Sequence, residues 1–466
     1  MLINKIFIDF ARHLWPRSRE ATLGAAGLVI LTGIQIPLVA EVSSNDVRTR
    51  PTQDHYRDLK RIIKAPHLKA QFGSFDAWLA KYQVGPDGVR KTLWKKQLGT
   101  SDVDVALNVA TDRQGNVLLS GTTFGDLASK AEGYGDAWVA KYSPTGTLLW
   151  KRQLGSYAFD VSNGIATDNS GNVFITGQTI GDLGGANQGE ADGWIAKYNA
   201  TGKLMWKHQI GTSAFDSSAG IAVDTQGNAV ISGYTEGALA GSLKGRVDAW
   251  VAKYNSYGVL RWQRQIGTNV FDTSYAVATD PSDNVLITGT TYGDLGGKLR
   301  GRNDAFVAKF NPFGQLQWTR QLGTSRNDLP LGIAADAKGD VLILGSTSGS
   351  LGGENQGQDD GWVAKLGPHG ALRWTQQFGS TDADVAMCVT TDQDGNVFTA
   401  GKTSGALKGS NRGMDDAWMA KISPAGKTLW TQQDGTLGID VAAGIATDSQ
   451  GYVLVAGYTQ GNFARP

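Results

Sequence analysis

Seven aspartates, Asp104, Asp160, Asp216, Asp272, Asp328, Asp384 and Asp440, recur at a constant step of 56 residues. Carboxylate oxygens suit hard cations, so seven that converged on one axis could hold an ion. An aspartate just ahead of a short strand also caps a turn by accepting bonds from nearby backbone N–H groups. The sequence favours the cap, and no metal site is assigned. A second set, Asp112, Asp168, Asp224, Asp280, Asp336, Asp392 and Asp448, opens hairpins of the form D-x-x-G-N and close variants. Seven lysines on the same step, Lys81, Lys141, Lys197, Lys253, Lys309, Lys365 and Lys421, are expected to pair with such carboxylates.

Catalysis would need a constellation that breaks this repetition, and none stands out. Of five histidines, His13, His55 and His67 precede the repeats, while His208 and His369 fall in an outer strand and an outer turn. The usual general base and metal ligand is therefore missing from the expected axis. Glu132, Glu190, Glu236 and Glu354 all lie in one type of long connection, and no G-x-S-x-G, H-E-x-x-H or phosphate loop occurs. Cys388 is the single cysteine, so no intrachain disulfide forms. It shares its position with Asn108, Gly164, Gly220, Ala276, Gly332 and Gly444 and reads as a small packing residue. Lysine and arginine (44) balance aspartate and glutamate (43), which argues against a nucleic-acid partner. No catalytic residue and no cofactor is assigned.

These residues are positioned by a repeat. Trp94, Trp150, Trp206, Trp262, Trp318, Trp374 and Trp430 keep the same step, as do Gly121, Gly177, Gly233, Gly289, Gly345, Gly401 and Gly457. One unit reads as four short strands: GIATD (164–168), NVFITG (172–177), DGWIAKY (192–198) and KLMWKHQIG (203–211). Tight-turn residues join the first pair and the last pair, a longer glycine-bearing segment joins the middle two, and helical periodicity is absent. Seven such units predict an all-β, seven-bladed β-propeller of four-stranded antiparallel blades. The first copy begins midway, at FGSFDAWLAKY (72–82), and the last ends after two strands. Two N-terminal plus two C-terminal strands would make a split blade that closes the ring. Repeated third-strand tryptophans, with Phe306 replacing one, then read as packing between blades rather than as a sugar platform.

What varies is the long connection between the second and third strands, expected on the same face as the links between blades. Lys130, Glu132, Lys244, Arg246, Lys298, Arg300, Arg302, Glu354, Asp359, Lys408 and Arg412 fall there and are the candidate partner-binding residues.

The first forty residues are of another kind. Lys5, Arg12, Arg17 and Arg19 precede an uncharged run, 21–40, which reads as a signal peptide or an N-terminal membrane anchor. Residues 41–71 read as a polar linker, and 72–466 as the propeller.

The units, for instance GIATDNSGNVFITGQT followed by DGWIAKYNATGKLMWKHQIG, resemble the bacterial seven-bladed β-propeller repeat family (SBBP), and GIAVDTQGN is similar to NHL-type propeller repeats. The resemblance covers residues 72–466. It implies GIATD as the innermost strand, and an exported protein with a cell-surface or envelope role; it supplies no catalytic residues. The expected function is a non-catalytic extracytoplasmic binding or scaffold module for a protein or glycan, monomeric, touching membrane only through its N-terminal segment. The alternative is an exported polysaccharide hydrolase or lyase with an aspartate-based site at the channel mouth. Departures from the repeat are Phe306, Asp283 for glycine in a hairpin turn, and a four-residue insertion between Tyr82 and Trp94.

Overall fold

The structure is a computed structural model that describes residues 75–85 and 90–463. The leader and linker readings for residues 1–40 and 41–71 lie outside the described residues. Every strand described belongs to one of seven four-stranded antiparallel sheets, as the repeat predicts. In the second full blade the strands run Asp160–Thr167, Val173–Thr179, Asp192–Tyr198 and Leu204–Ile210, hydrogen-bonded in that order. Each blade is flanked by a neighbour on both sides, so its two middle strands bury both faces. This is why they read as near-continuous apolar runs, Val173-Phe174-Ile175 and Trp194-Ile195-Ala196, and are buried from end to end. The outer strand is half exposed and correspondingly polar.

The core lies between blades. Leu118, Ala137 and Val139 of one blade pack on Ile165, Ile175, Trp194 and Tyr198 of the next. Third-strand Trp138, Trp194, Trp250, Trp362, Trp418 and the substitute Phe306 are among the largest fully buried side chains, so they pack as predicted. Fourth-strand tryptophans staple one blade to the next. The indole N–H of Trp150 donates to Ala200 O (3.1 Å), Trp206 to Ser256 O (3.2 Å), Trp262 to Pro312 O (3.0 Å) and Trp318 to Pro368 O (3.1 Å).

The ring closes through one split sheet, ordered Arg90–Leu98, Asp76–Val84, Val453–Thr459, Asp440–Thr447. Its register runs from Asp76 opposite Thr459 to Tyr82 opposite Val453. The innermost strand of this blade packs on those of both neighbours. The Thr111 hydroxyl donates to Thr447 O (3.1 Å) and the Thr447 hydroxyl to Thr391 O (2.8 Å), which ties three blades together. The four-residue insertion lengthens this blade's outer hairpin: its strands have 9 residues where the other blades have 7.

Every innermost strand carries a β-bulge that leaves one residue out of the ladder: Leu107, Asn163, Ala219, Tyr275, Leu331, Met387 and Ala443. The bulge swings a carbonyl of the first strand toward the second. At Gly121, Gly177, Gly233, Gly289, Gly345, Gly401 and Gly457 an added Cβ would lie 1.6–1.9 Å from that carbonyl oxygen. These glycines repeat because nothing larger fits.

Candidate functional site

The aspartates that begin the first strands are turn caps. Asp160 Oδ2 accepts the N–H (2.6 Å) and the hydroxyl (2.9 Å) of Ser156, and Oδ1 accepts the Thr179 hydroxyl. Asp104, Asp272, Asp328 and Asp440 repeat this pattern with Thr100, Thr268, Thr324 and Thr436. All seven are fully buried. Burial pushes the carboxyls of Asp160 and Asp216 up to about 6, against the opposing pull of these bonds. Among the described residues, no group of three or more histidines, cysteines or acidic residues is arranged to hold a metal ion.

The hairpin aspartates pair with the lysines in all seven blades. Five of the contacts are 2.8 Å, and Lys197–Asp168 and Lys421–Asp392 are 3.6 Å. Burial alone would raise Asp224, Asp280 and Asp336, yet the lysine and backbone bonds outweigh it, and these carboxyls sit below their ordinary value. The same lysines reach the neighbouring blade: Lys197 Nζ also donates to Ser256 O (3.0 Å) and Lys309 Nζ to Pro368 O (3.1 Å). Cys388 donates weakly to Ala400 O (3.5 Å), and burial raises its thiol. His208 stacks between Trp206 and Tyr254 in the outer strand.

The long connections and the links between blades lie together on one face. Tyr134 N–H, in the connection 124–135, bonds Ala158 O in the following link (3.0 Å), and Phe124 N–H bonds Val103 O in the preceding one (2.9 Å). The connections are held by a set that sequence reasoning did not single out. Gln153 Nε2 donates to Asp136 Oδ2 (2.7 Å) and Gly125 O (3.1 Å), while its Oε1 accepts Ala128 N–H (2.9 Å). Asp136 Oδ2 also accepts the N–H of Glu132 (3.1 Å). Gln209, Gln265, Gln321, Gln377 and Gln433 do the same with Asp192, Asp248, Asp304, Asp360 and Asp416. The signal was available, because both sets keep the 56-residue step.

On this frame Lys130, Glu132, Lys244, Arg246, Lys298, Arg300, Arg302, Glu354, Lys408 and Arg412 are all exposed. Asp359 is half-buried and accepts the Ser348 hydroxyl (2.5 Å). Two pairings emerge. Glu354 and Lys408 line one shallow cleft of about 550 Å³ between adjacent blades, with Gln356, Leu407, Leu429 and Trp430. Lys244 and Arg246 stand on one side of the link 267–271, and Lys298, Arg300 and Arg302 on the other. The Arg246 N–H bonds Val270 O (2.9 Å) and the Tyr292 N–H bonds Phe271 O (3.0 Å).

Around the innermost strands the symmetry is broken by the bulge residues and their neighbours. Leu107, Met387 and Ala443 join an apolar cluster with Val105, Val441 and Tyr458. Over the next blades the surroundings are polar. The Ser217 hydroxyl donates to Gln178 Oε1 (2.8 Å) and the Asn163 amide to Ser218 O (2.9 Å).

The β-propeller repeat family SBBP matches residues 149–184, 317–352, 373–407 and 429–464, each stretch running from an outer strand through the next two. Among curated proteins the chain is similar to an uncharacterized WD repeat-containing protein of Acanthamoeba polyphaga mimivirus, at 20% identity over 78% of this chain and 36% of that one. It is also similar to the regulatory protein FlaEY of Caulobacter vibrioides, at 26% identity over 34% of this chain and 19% of that one. The chain therefore spans well under two thirds of either relative. Among solved structures it is similar to a protein of unknown function from Bacteroides caccae (13% identity, TM-score 0.37, 65% of this chain and 92% of that one). A putative gluconolactonase gives 12% identity and a TM-score of 0.35, over 64% and 88% of the two chains. Likeness at that level says nothing of activity. Four repeats matched in register, on a ring of seven blades that closes through one split sheet, make this chain a seven-bladed β-propeller whose repeats match the SBBP β-propeller repeat family.

Proposed function

We propose that the chain is a non-catalytic binding or scaffold module that works outside the cytoplasm and engages a protein or glycan through its long connections. The supporting observation is that these connections are built rather than loose. An Asp–Gln pair holds the backbone of each one, while the exposed side chains above it differ from blade to blade. A fixed frame presenting variable residues is how rigid scaffolds carry recognition. The caps and ion pairs engage the repeated aspartates within the fold, so the residues left to meet a partner are the non-repeating ones. In this reading the propeller is monomeric and approaches a membrane only through its N-terminal segment.

The test is capture from the source cell's envelope extract with the full chain as bait. A variant with Lys130, Glu132, Lys298, Arg300, Arg302 and Glu354 changed to alanine serves as control. All six are exposed, so the variant should unfold at the same temperature as the parent. A partner held by the parent and lost by the variant supports the reading. Equal capture by both, or none by either, sinks it.

A further inference from the structure

Charge on the loop face is unevenly distributed. The neighbouring connections 236–247 and 292–303 carry Lys244, Arg246, Lys298, Arg300 and Arg302 against Glu236 and Asp294, five cations to two carboxylates, a balance of +3. The connections 124–135 and 180–191 carry Lys130 against Asp126, Glu132, Asp182 and Glu190, one to four, a balance of −3. The whole chain is at +1, so the polarity across the face is hidden in the total. Arg326 adds to the basic arc, because its carbonyl accepts the N–H of Arg302 (3.4 Å). Among the described residues none of the five cations forms an ion pair with a carboxylate. The guanidinium of Arg300 has only a long bond to Gly323 O (3.4 Å).

Aromatic rings lie within this arc. The Arg246 guanidinium is 5.8 Å from the centroid of Phe271, and Tyr292 meets Phe271 edge-on at 5.9 Å with 42% of its surface exposed. The row Arg246, Phe271, Tyr292 thus bridges the two basic connections across a link that carries no formal charge.

We propose that this arc binds an acidic polysaccharide, with Arg246, Arg300 and Arg302 taking its carboxylates and Tyr292 and Phe271 the apolar face of a sugar ring; the proposal rests on the binding-module reading. The planar fork of a guanidinium matches a carboxylate in two bonds, and a half-exposed aromatic ring offers a flat apolar surface with a polar rim. Duplex nucleic acid carries a charge every ~1.7 Å along its axis and needs a continuous basic track, whereas this arc is short and flanked by one of opposite sign. A uronate chain, whose charges stand at least a sugar ring apart, fits a short arc. An acidic peptide would use the arginines and leave the rings without a flat partner.

The test is titration calorimetry of the full chain with an oligogalacturonate, its methyl ester, a single-stranded oligonucleotide and poly-glutamate. Arg246→Ala/Arg300→Ala/Arg302→Ala, Tyr292→Ala and, as control, Glu132→Gln/Asp182→Asn are compared with the parent. We expect the acid form to bind, and the ester and the triple variant to bind more weakly by roughly tenfold or more. Tyr292→Ala should lose several-fold, the control should match the parent, and added salt should weaken the parent. Equal affinity for acid and ester, indifference to the triple variant, tighter binding of the oligonucleotide or poly-glutamate, or no binding of the acid would each overturn the assignment. If loop-dependent capture stands while the glycan fails, only the glycan falls; if both fail, the binding-module reading falls too.

Discussion

Asp160 and Asp216 are sealed from solvent, and burial lifts their carboxyls to about 6; Asp224, Asp280 and Asp336, beside lysines, lie below the ordinary value of 3.8. The two sets therefore pull stability in opposite directions. For the first, the folded state holds its proton more tightly than the unfolded chain, so its contribution is complete below 3.8 and is lost as pH rises through about 6. For the second, the contribution is complete above 3.8 and is lost as pH falls through the lowered value. The denaturant midpoint should rise on acidification from neutrality toward about pH 4, then fall in stronger acid. Asp160→Asn with Asp216→Asn should reduce the upper limb only, because burial also raises Asp104, Asp272, Asp328, Asp384 and Asp440, which still contribute to it. A midpoint that falls steadily from neutral pH downward would contradict this account. At this scale the sequence showed which aspartates repeat and that the lysines would meet the hairpin set. The choice between an axial ion and a cap needed distances, because Asp160 has the same spacing under either role, and only its bonds to Ser156 and Thr179 separate them.

The four strands of a blade were legible because their turns are punctuated and their apolar runs are short. The bulge was not, because an extra residue in an alternating strand looks like one more apolar position. Its trace is the repeated second-strand glycine. Gly289→Ala places a Cβ 1.6 Å from Thr273 O, and both strands are locked by neighbours, so the backbone has nowhere to yield. We expect a loss of about 3 kcal/mol or more, read by chemical denaturation; a loss under 1 kcal/mol would mean that the strand can shift. The turn glycines are a milder case. Six of the seven first hairpins have glycine at positive φ, and the seventh has Asp283 at 59°, whose carboxylate accepts the N–H (2.9 Å) and hydroxyl (2.7 Å) of Thr225 in the preceding blade. The departure from the repeat thus exchanges backbone freedom for a contact between blades. The Asp–Gln frame of the long connections went unread for a different reason: Asp136 and Gln153 lie 17 residues apart on different strands, and only the pairing of those strands brings them together.

At the level of the ring, closure was the most legible feature, since two strands were missing at one end and two at the other. The bond chain through Thr111, Thr447 and Thr391 shows what closure adds beyond the sheet itself, namely direct links between innermost strands. A chain ending at Gly438 would strip the strand Asp76–Val84 of its partner Val453–Thr459 and open the clusters on either side. It should lose cooperative unfolding in calorimetry, and a separate peptide of residues 439–463 should restore it. Unchanged cooperativity in the truncated chain would show that six blades and a hairpin suffice. The asymmetry of charge around the loop face was invisible in a near-neutral total and emerged only once each connection had a place in the circle. The register of the split sheet also has a mechanical consequence. Asp76 and Thr459 stand opposite each other, so a pull applied at these two points loads their ladder at its end, one rung at a time, and not all rungs in parallel. Tension between the ends would open this blade like a zipper, at low force, while the six continuous blades stayed shut.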